Sequence, residues 1–521
     1  MLIKVFGAAV QGIDATLITI EVNSSRGCMF YLVGLPDSAV KESHQRIISA
    51  LQVNGYRMPT SNIVINMAPA DIRKEGAAYD LPLAIGILAA SEVIQSDKLE
   101  RYLLMGELSL DGSLQPIKGA LPIAIKAREL GFEGMIVPQQ NAHEAAVVNN
   151  LKVYGAGNIK EVIEFFNGTQ ELTPTLVNTR EEFYSQQSNF DFDFAEVKGQ
   201  ENVKRALEVA ASGSHNILLI GSPGSGKSML AKRLPSILPP LSLGESLETT
   251  KIHSVAGKLG KDGGLISKRP FRAPHHTIST VAMTGGGSFP QPGEISLAHN
   301  GILYLDELPE YSRNVLEVLR QPLEDRKITV SRIRCNVEYP ASFMLVASMN
   351  PCPCGYYTHP TKACVCSPGQ VQKYLNRISG PLLDRIDLQI EVTPLPFEEM
   401  ADSRPGESSA TIRERVIRAR QIQEARYADI PGIYCNAQMN SKLLARHARP
   451  DDKGLAMLKT AMNRLNLSAR AYDRILKVSR TIADLEGCEL IQPAHLAEAI
   501  GYRNLDRDCL LYTSPSPRDR G

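Results

Sequence analysis

No run of this chain is apolar for long enough to cross a membrane. The longest, residues 81–90 (LPLAIGILAA), falls far short of the ~20 residues that a spanning helix needs. Charge of one sign is missing too: 57 Lys and Arg stand against 56 Asp and Glu, a formal net charge of +1. That balance excludes a strongly basic nucleic-acid binder but leaves room for a local basic patch or pore loop. No secretory signal is visible, since Met1 to Lys4 lead straight into patterned sequence. Nine cysteines in a chain of this size, without such a signal, point to thiols in a reducing cytoplasm rather than to disulfides. No internal repeat is seen. What is present is ordinary globular composition, 43% hydrophobic and 22% charged over 521 residues, room for about three domains at roughly 150 residues each.

The chemistry is densest at 216–228. Residues 216–220 (NILLI) have the pattern of a strand buried on both faces of a parallel sheet. The next eight residues, Gly221, Ser222, Pro223, Gly224, Ser225, Gly226, Lys227 and Ser228, fit G-x-x-x-x-G-K-[ST]. Met229, Leu230, Leu234 and Ile237 then continue at helical spacing. The three glycines let backbone N–H groups turn inward as an anion nest at a helix N-terminus. In such a loop Lys227 reaches the β- and γ-phosphates of ATP, and the Ser228 hydroxyl joins the Mg²⁺ shell. Residues 301–307 (GILYLDE) form a second buried strand that delivers two carboxylates at its C-terminal end. Asp306 suits Mg²⁺ and Glu307 suits polarising the attacking water. A third strand, 342–347 (SFMLVA), leads to Asn350, a polar group placed to position that water beside the γ-phosphate.

Several segments resemble parts of AAA+ ATPases. Gly199 and Gln200, just ahead of a helical pattern at 203–211, stand where such ATPases close over adenine. Residues 382–387 (LLDRID) resemble the finger of replicative helicases, which implies that Arg385, or Arg377 in second place, reaches the neighbouring subunit's γ-phosphate. Arg470, opening a helix after Ser468, matches the second-sensor arginine or is an ordinary surface residue. Between the first two strands, residues 238–300 are expected to be a long functional Gly/Pro-rich loop. His275 and His276 lie in it without a third metal ligand at helical spacing, so a structural or pore-loop role is the better reading. Lys258, Lys261, Lys268, Arg269 and Arg272 could line a pore or form a solvated face. Cys352, Cys354, Cys364 and Cys366 form two C-x-C pairs, and two readings stand: a tetrahedral Zn²⁺ site, or reduced thiols in a Gly/Pro loop.

Residues 1–168 alternate strand and helix signals. Strands are expected at 17–22, 63–67 and 134–138, and helices at 38–53, 81–91 and 123–130. Residues 74–80 (KEGAAYD) and 106–112 (GELSLDG) resemble the proteolytic domain of Lon-type proteases. The nucleophilic serine and catalytic lysine of those enzymes fall on Ala78 and Leu121 here, so the resemblance implies the fold without its chemistry. Residues 169–192 read as a polar linker. The AAA+ core is expected at 193–395 and a helical lid at 396–508, with helices at 410–426, 441–448, 451–463, 468–486 and 493–502. Residues 509–521 bear no relation to the preceding pattern. They resemble a translated sequencing adapter, the alternative being a disordered Ser/Pro tail, and are set apart from the fold.

Taken together, the Lon-like N-terminal domain, the 221–228 loop, residues 292–308 (PGEISLAHNGILYLDEL) and 350–355 (NPCPCG) resemble the YifB/ComM family of magnesium-chelatase-like AAA+ ATPases. The fold so implied is α/β: a P-loop AAA+ module with a parallel sheet and C-terminal helical lid, preceded by a Lon-protease-like α+β domain. The resemblance further implies a cytoplasmic homo-hexamer, without membrane attachment, that hydrolyses ATP with Mg²⁺. In the ComM branch it implies ATP-driven branch migration on DNA during natural transformation. The residues themselves leave two other readings open, a protein-remodelling motor such as a magnesium-chelatase subunit and a non-hydrolysing nucleotide-binding scaffold.

Overall fold

Two sheets organise the chain in a computed structural model that describes residues 2–503 apart from 261, 262, 288, 289, 333, 334, 358, 360, 396–405 and 466. The adapter-like stretch 509–521, the start of the expected lid and Lys261 lie outside the described residues.

The N-terminal sheet has seven strands in the order Phe30–Val33, Asn62–Ala68, Asp14–Ser25, Leu2–Gln11, Tyr102–Leu104, Gly134–Pro138, Lys152–Ala156. Its long hairpin pairs Leu2 with Asn23 and Gln11 with Asp14. The helix Asp80–Ala90 is buried along its whole length, which explains an apolar run too short for a membrane. It lies so close on the sheet that a Cβ at Gly86 would sit 2.8 Å from Val22 Cγ2, so glycine sets the approach. Helices Ser38–Val53 and Ala120–Glu129 cover the same domain.

The second sheet has five strands, all parallel, in the order Phe271–Arg272, Ile302–Leu305, Met344–Met349, Ile217–Gly221, Leu388–Val392. Alternate side chains enter two different cores. Ile217, Leu219, Ile302, Tyr304 and Val346 face one, and Leu218, Ile220, Leu303, Leu305 and Ala347 face the other. That two-sided burial is why the strands read as continuous apolar runs. Because all five run the same way, the residues following Ile217–Gly221, Ile302–Leu305 and Met344–Met349 emerge at one edge, with Ile220 paired to Met349 and Leu305 to Ala347.

Two expectations need correction. The insertion 238–300 is not a plain loop: it contains the 14-residue helix Leu243–Ala256 and the edge strand Phe271–Arg272. That helix lacks an apolar stripe, but Ser242 and Glu245 form a capping box that marks its start. It docks on the N-terminal domain, where Gly119 N donates to Ser254 O at 3.1 Å and Lys251 Nζ lies 3.1 Å from Asp14. The polar stretch 169–192 also carries a helix, Thr179–Gln186, which buries Phe183.

The lid helices are Ser409–Tyr427, Ser441–His447, Asp452–Arg464, Ala469–Leu485 and Pro493–Gly501. The buried Asp387 ties them to the sheet, accepting from Asn216 N at 3.0 Å and Arg474 Nη1 at 2.9 Å. Burial alone would raise its pKa, but Arg474 and His215 outweigh that and hold the carboxyl well below its usual range.

Candidate active site

The loop after Ile217–Gly221 needs glycine for two separate reasons. A Cβ at Gly221 would fall 2.3 Å from Val392 O, and Gly224 and Gly226 take φ of 79° and 94°. Gly226 then caps the helix Lys227–Arg233, so successive N–H groups face one concavity. The Lys227 ammonium donates to Gly221 O at 2.7 Å, Ser222 O at 2.9 Å and Asn350 Oδ1 at 3.3 Å. Burial lowers its pKa, and the nearby Asp306 and Glu307 partly restore it.

Ser228 Oγ donates to Asp306 Oδ2 at 3.0 Å. Neighbouring ligands of an octahedral Mg²⁺ with metal–oxygen bonds of 2.0–2.1 Å stand about 2.9 Å apart, so this pair fits that ion. Asp306 is fixed from behind by the Ser348 hydroxyl, which donates to Oδ1, and by Glu307 N at 3.1 Å. The Tyr304 hydroxyl lies 3.1 Å from Ser228 Oγ and 3.2 Å from Ser348 Oγ, and burial pushes its pKa up to about 12. The motif pattern did not single out Tyr304 or Ser348. The signal for Ser348 was strand alternation, which sends residues 348 and 350 to the same side.

Glu307 adopts φ 54°, ψ 52°, a left-handed conformation that costs a non-glycine residue about 1–3 kcal/mol and is concentrated at functional sites. His276 Nδ1 sits 3.8 Å from its carboxylate, and His275 stacks beside His276 with ring centroids 4.0 Å apart. Among the described residues neither histidine joins a group of three metal ligands. Gly199 and Gln200 both take positive φ, and Gln200 Nε2 donates to Ser225 O at 2.9 Å, closing over the loop 221–228. Gln200 Oε1, Ser222 Oγ and Ser225 Oγ are buried without a partner among the described residues.

The arginines stand elsewhere. Arg385 is buried, its guanidinium bound to Glu324 and to Pro381 O. Arg377 pairs with Glu310 at 2.9 Å, and Arg470 is largely exposed, 3.4 Å from Asp384. Among the described residues no hydrogen bond or ion pair joins these three to residues 221–228. Arg269 is held by Glu245 and by the carbonyls of Pro239 and Asn300, and Arg272 makes a two-point pair with Glu294. Those two are internal braces rather than a pore lining. Cys352, Cys354, Cys364 and Cys366 converge directly after Asn350. In the N-terminal domain Leu121 is buried and Ala78 half-buried, and neither position offers a hydroxyl or amine.

The chain matches three family descriptions: "Magnesium chelatase, subunit ChlI" over residues 193–400, "Subunit ChlI of Mg-chelatase" over 20–141 and "Magnesium chelatase, subunit ChlI C-terminal" over 406–503. It is 45% identical over 506 residues to the competence protein ComM of Haemophilus influenzae, covering 96% of this chain and 97% of that one. To the protein YifB of Escherichia coli it is 43% identical over 507 residues, 96% of each chain. The magnesium-chelatase 38 kDa subunit of Rhodobacter capsulatus is 26% identical over 179 residues, 31% of this chain and 50% of that protein. With matches along almost its whole length and this parallel-sheet site, the chain belongs to the YifB/ComM family of magnesium-chelatase-like AAA+ proteins.

Proposed function

We propose that this protein is a Mg²⁺-dependent ATPase that works as a homo-hexameric ring on DNA, moving branched or single-stranded substrates as a branch-migration translocase in the cytoplasm. The observation that carries the ATPase reading is the convergence of Lys227, the Ser228–Asp306 pair and Asn350 on one sheet edge. ATP would bring its β- and γ-phosphates to Lys227 and the loop N–H groups, with Mg²⁺ held by Ser228 and Asp306. Mg²⁺ held there would offset the negative charge of the phosphates. Glu307 orients and polarises the attacking water, and Asn350 holds it against the γ-phosphate.

In this reading Arg385 is the finger that stabilises transition-state charge on a neighbour's nucleotide, which requires it to leave Glu324 when the ring assembles. Arg470 serves as the second sensor, and Gly199 and Gln200 close over adenine. DNA as the substrate rests on the likeness to a protein named for competence. No helix among the described residues is long and apolar enough to cross a membrane.

A second reading, a protein-remodelling motor, is favoured by the match to the 38 kDa chelatase subunit. The ATPase rate of the purified protein with and without forked or three-stranded DNA separates the two. Stimulation by DNA is expected. A rate indifferent to DNA but raised by a partner protein overturns the DNA assignment.

A further inference from the structure

Cys352, Cys354, Cys364 and Cys366 are all free thiols, and their four sulfurs lie within 4.8 Å of one another. Cys352 Sγ stands 3.3 Å from Cys354 Sγ and 3.7 Å from Cys364 Sγ, and Cys354 and Cys364 are 3.6 Å apart. A tetrahedron with Zn–S bonds of ~2.3 Å has sulfur edges of about 3.8 Å, so these spacings are those of one small tetrahedral ion. They are too short to hold a polynuclear iron–sulfur cluster between them.

The loop's position gives this arrangement a consequence. Cys352 follows Asn350 by two residues and is fully buried in the core beneath the sheet. Gly355 rests on the phosphate loop so closely that a Cβ there would lie 2.4 Å from Pro223 Cδ. Ser367, next to Cys366, caps the helix Pro368–Leu375, whose Tyr374 is buried in the same core as Cys352.

We propose that these four cysteines bind one structural Zn²⁺ and that the metal clip holds Asn350 and the phosphate loop in mutual register. Zinc binding stands independently of the ATPase reading, whereas the bracing role rests on it. The closed, all-protein tetrathiolate leaves no coordination position for substrate, so its part is structural rather than catalytic.

Metal analysis of the full chain, purified without chelator, is expected to find about one zinc per chain. The double substitution Cys354→Ser/Cys364→Ser is expected to abolish it. Replacement of the metal by Co²⁺ in the unmutated protein should produce thiolate-to-cobalt charge-transfer bands, a readout that does not depend on a variant folding. Zinc well below one-tenth per chain, iron in its place, zinc undiminished in the double variant, or cobalt without those bands overturns the site. For the brace, reversible removal of zinc is expected to weaken binding of a non-hydrolysable ATP analogue by about 10–100-fold, with recovery on re-addition. Unchanged affinity overturns the brace and leaves the zinc count as a separate result.

Discussion

In the N-terminal domain Asp80 is buried and fully engaged: Arg46 meets it with Nε at 2.6 Å and Nη2 at 2.9 Å, and Leu108 N donates at 3.2 Å. Glu144 is likewise buried among Ser254, Leu121 N and Asn141. At the edge of the parallel sheet Ser222, Ser225 and Gln200 each keep a buried oxygen unpaired among the described residues. Leaving a buried polar atom unmet costs about 1–3 kcal/mol, so a cluster of them in one loop marks a surface built to be completed by a ligand. The first domain also has unpaired buried atoms among the described residues, at Asn62, Ser91 and His143, but they lie on three separate segments, whereas those of Gln200, Ser222 and Ser225 gather at one loop, as the proposed phosphate binding requires.

Breaking that contrast should have its largest effect at Lys227. Lys227→Ala removes the cation at the centre of the proposed phosphate cradle and is expected to abolish ATP binding in equilibrium titration. Retained affinity would mean the loop does not hold phosphate. Arg385→Ala is expected to cut ring turnover by about 10³–10⁵, the range for a finger acting in trans. Mixed with unsubstituted subunits it should depress the rate more than in proportion to its share. Strictly proportional loss would show that the pair with Glu324 is a local brace and nothing more.

Glu307→Gln keeps the shape and loses the charge, so ATP should bind as before while hydrolysis falls by about 10²–10⁴. Normal hydrolysis by this variant defeats the water-polarising role. Ser348→Ala takes one donor from Asp306 and should raise the Mg²⁺ concentration needed for half-maximal rate by about 10–100-fold, as loss of a supporting hydrogen bond behind a metal ligand does.

The smallest effect is one of pH, and it has opposite signs in the two regions. Burial raises the Glu144 pKa above its ordinary 4.5 despite its three hydrogen bonds. Its contribution is therefore full below that ordinary value and is lost as pH rises through the raised one. Asp387 is depressed by Arg474 and His215, so its contribution is present above 3.8 and lost as pH falls through the lowered value. Glu144→Gln should flatten the loss of stability of the N-terminal domain as pH rises above the ordinary 4.5, read from denaturant midpoints. A profile identical to the parent's would place the titration elsewhere.

Much of this was legible beforehand because it is local. The helix Ser38–Val53 and the strand Gly134–Pro138 fall where their spacing put them, and the loop 221–228, the acidic pair and Asn350 follow strands recognisable as apolar runs. The helix Leu243–Ala256 was missed because its contacts lie on two domains and leave no single apolar face. For Arg269 and Arg272 the sequence leaves a pore lining or a solvated face open, because it does not show Glu245 or Glu294 waiting opposite them.

The chain's order of residues determined which groups could do chemistry: a glycine-shaped turn, an ammonium, two carboxylates, an amide and four thiols, each fixed by spacing within one element. Only the tertiary structure decided who meets whom. Lys227 and Asn350 are 123 positions apart and touch because parallel strands end at a common edge. Arg385 turns inward because Glu324, 61 residues away, lies within its reach. Contacts of that range depend on strand order and packing, which periodicity along a single segment does not encode.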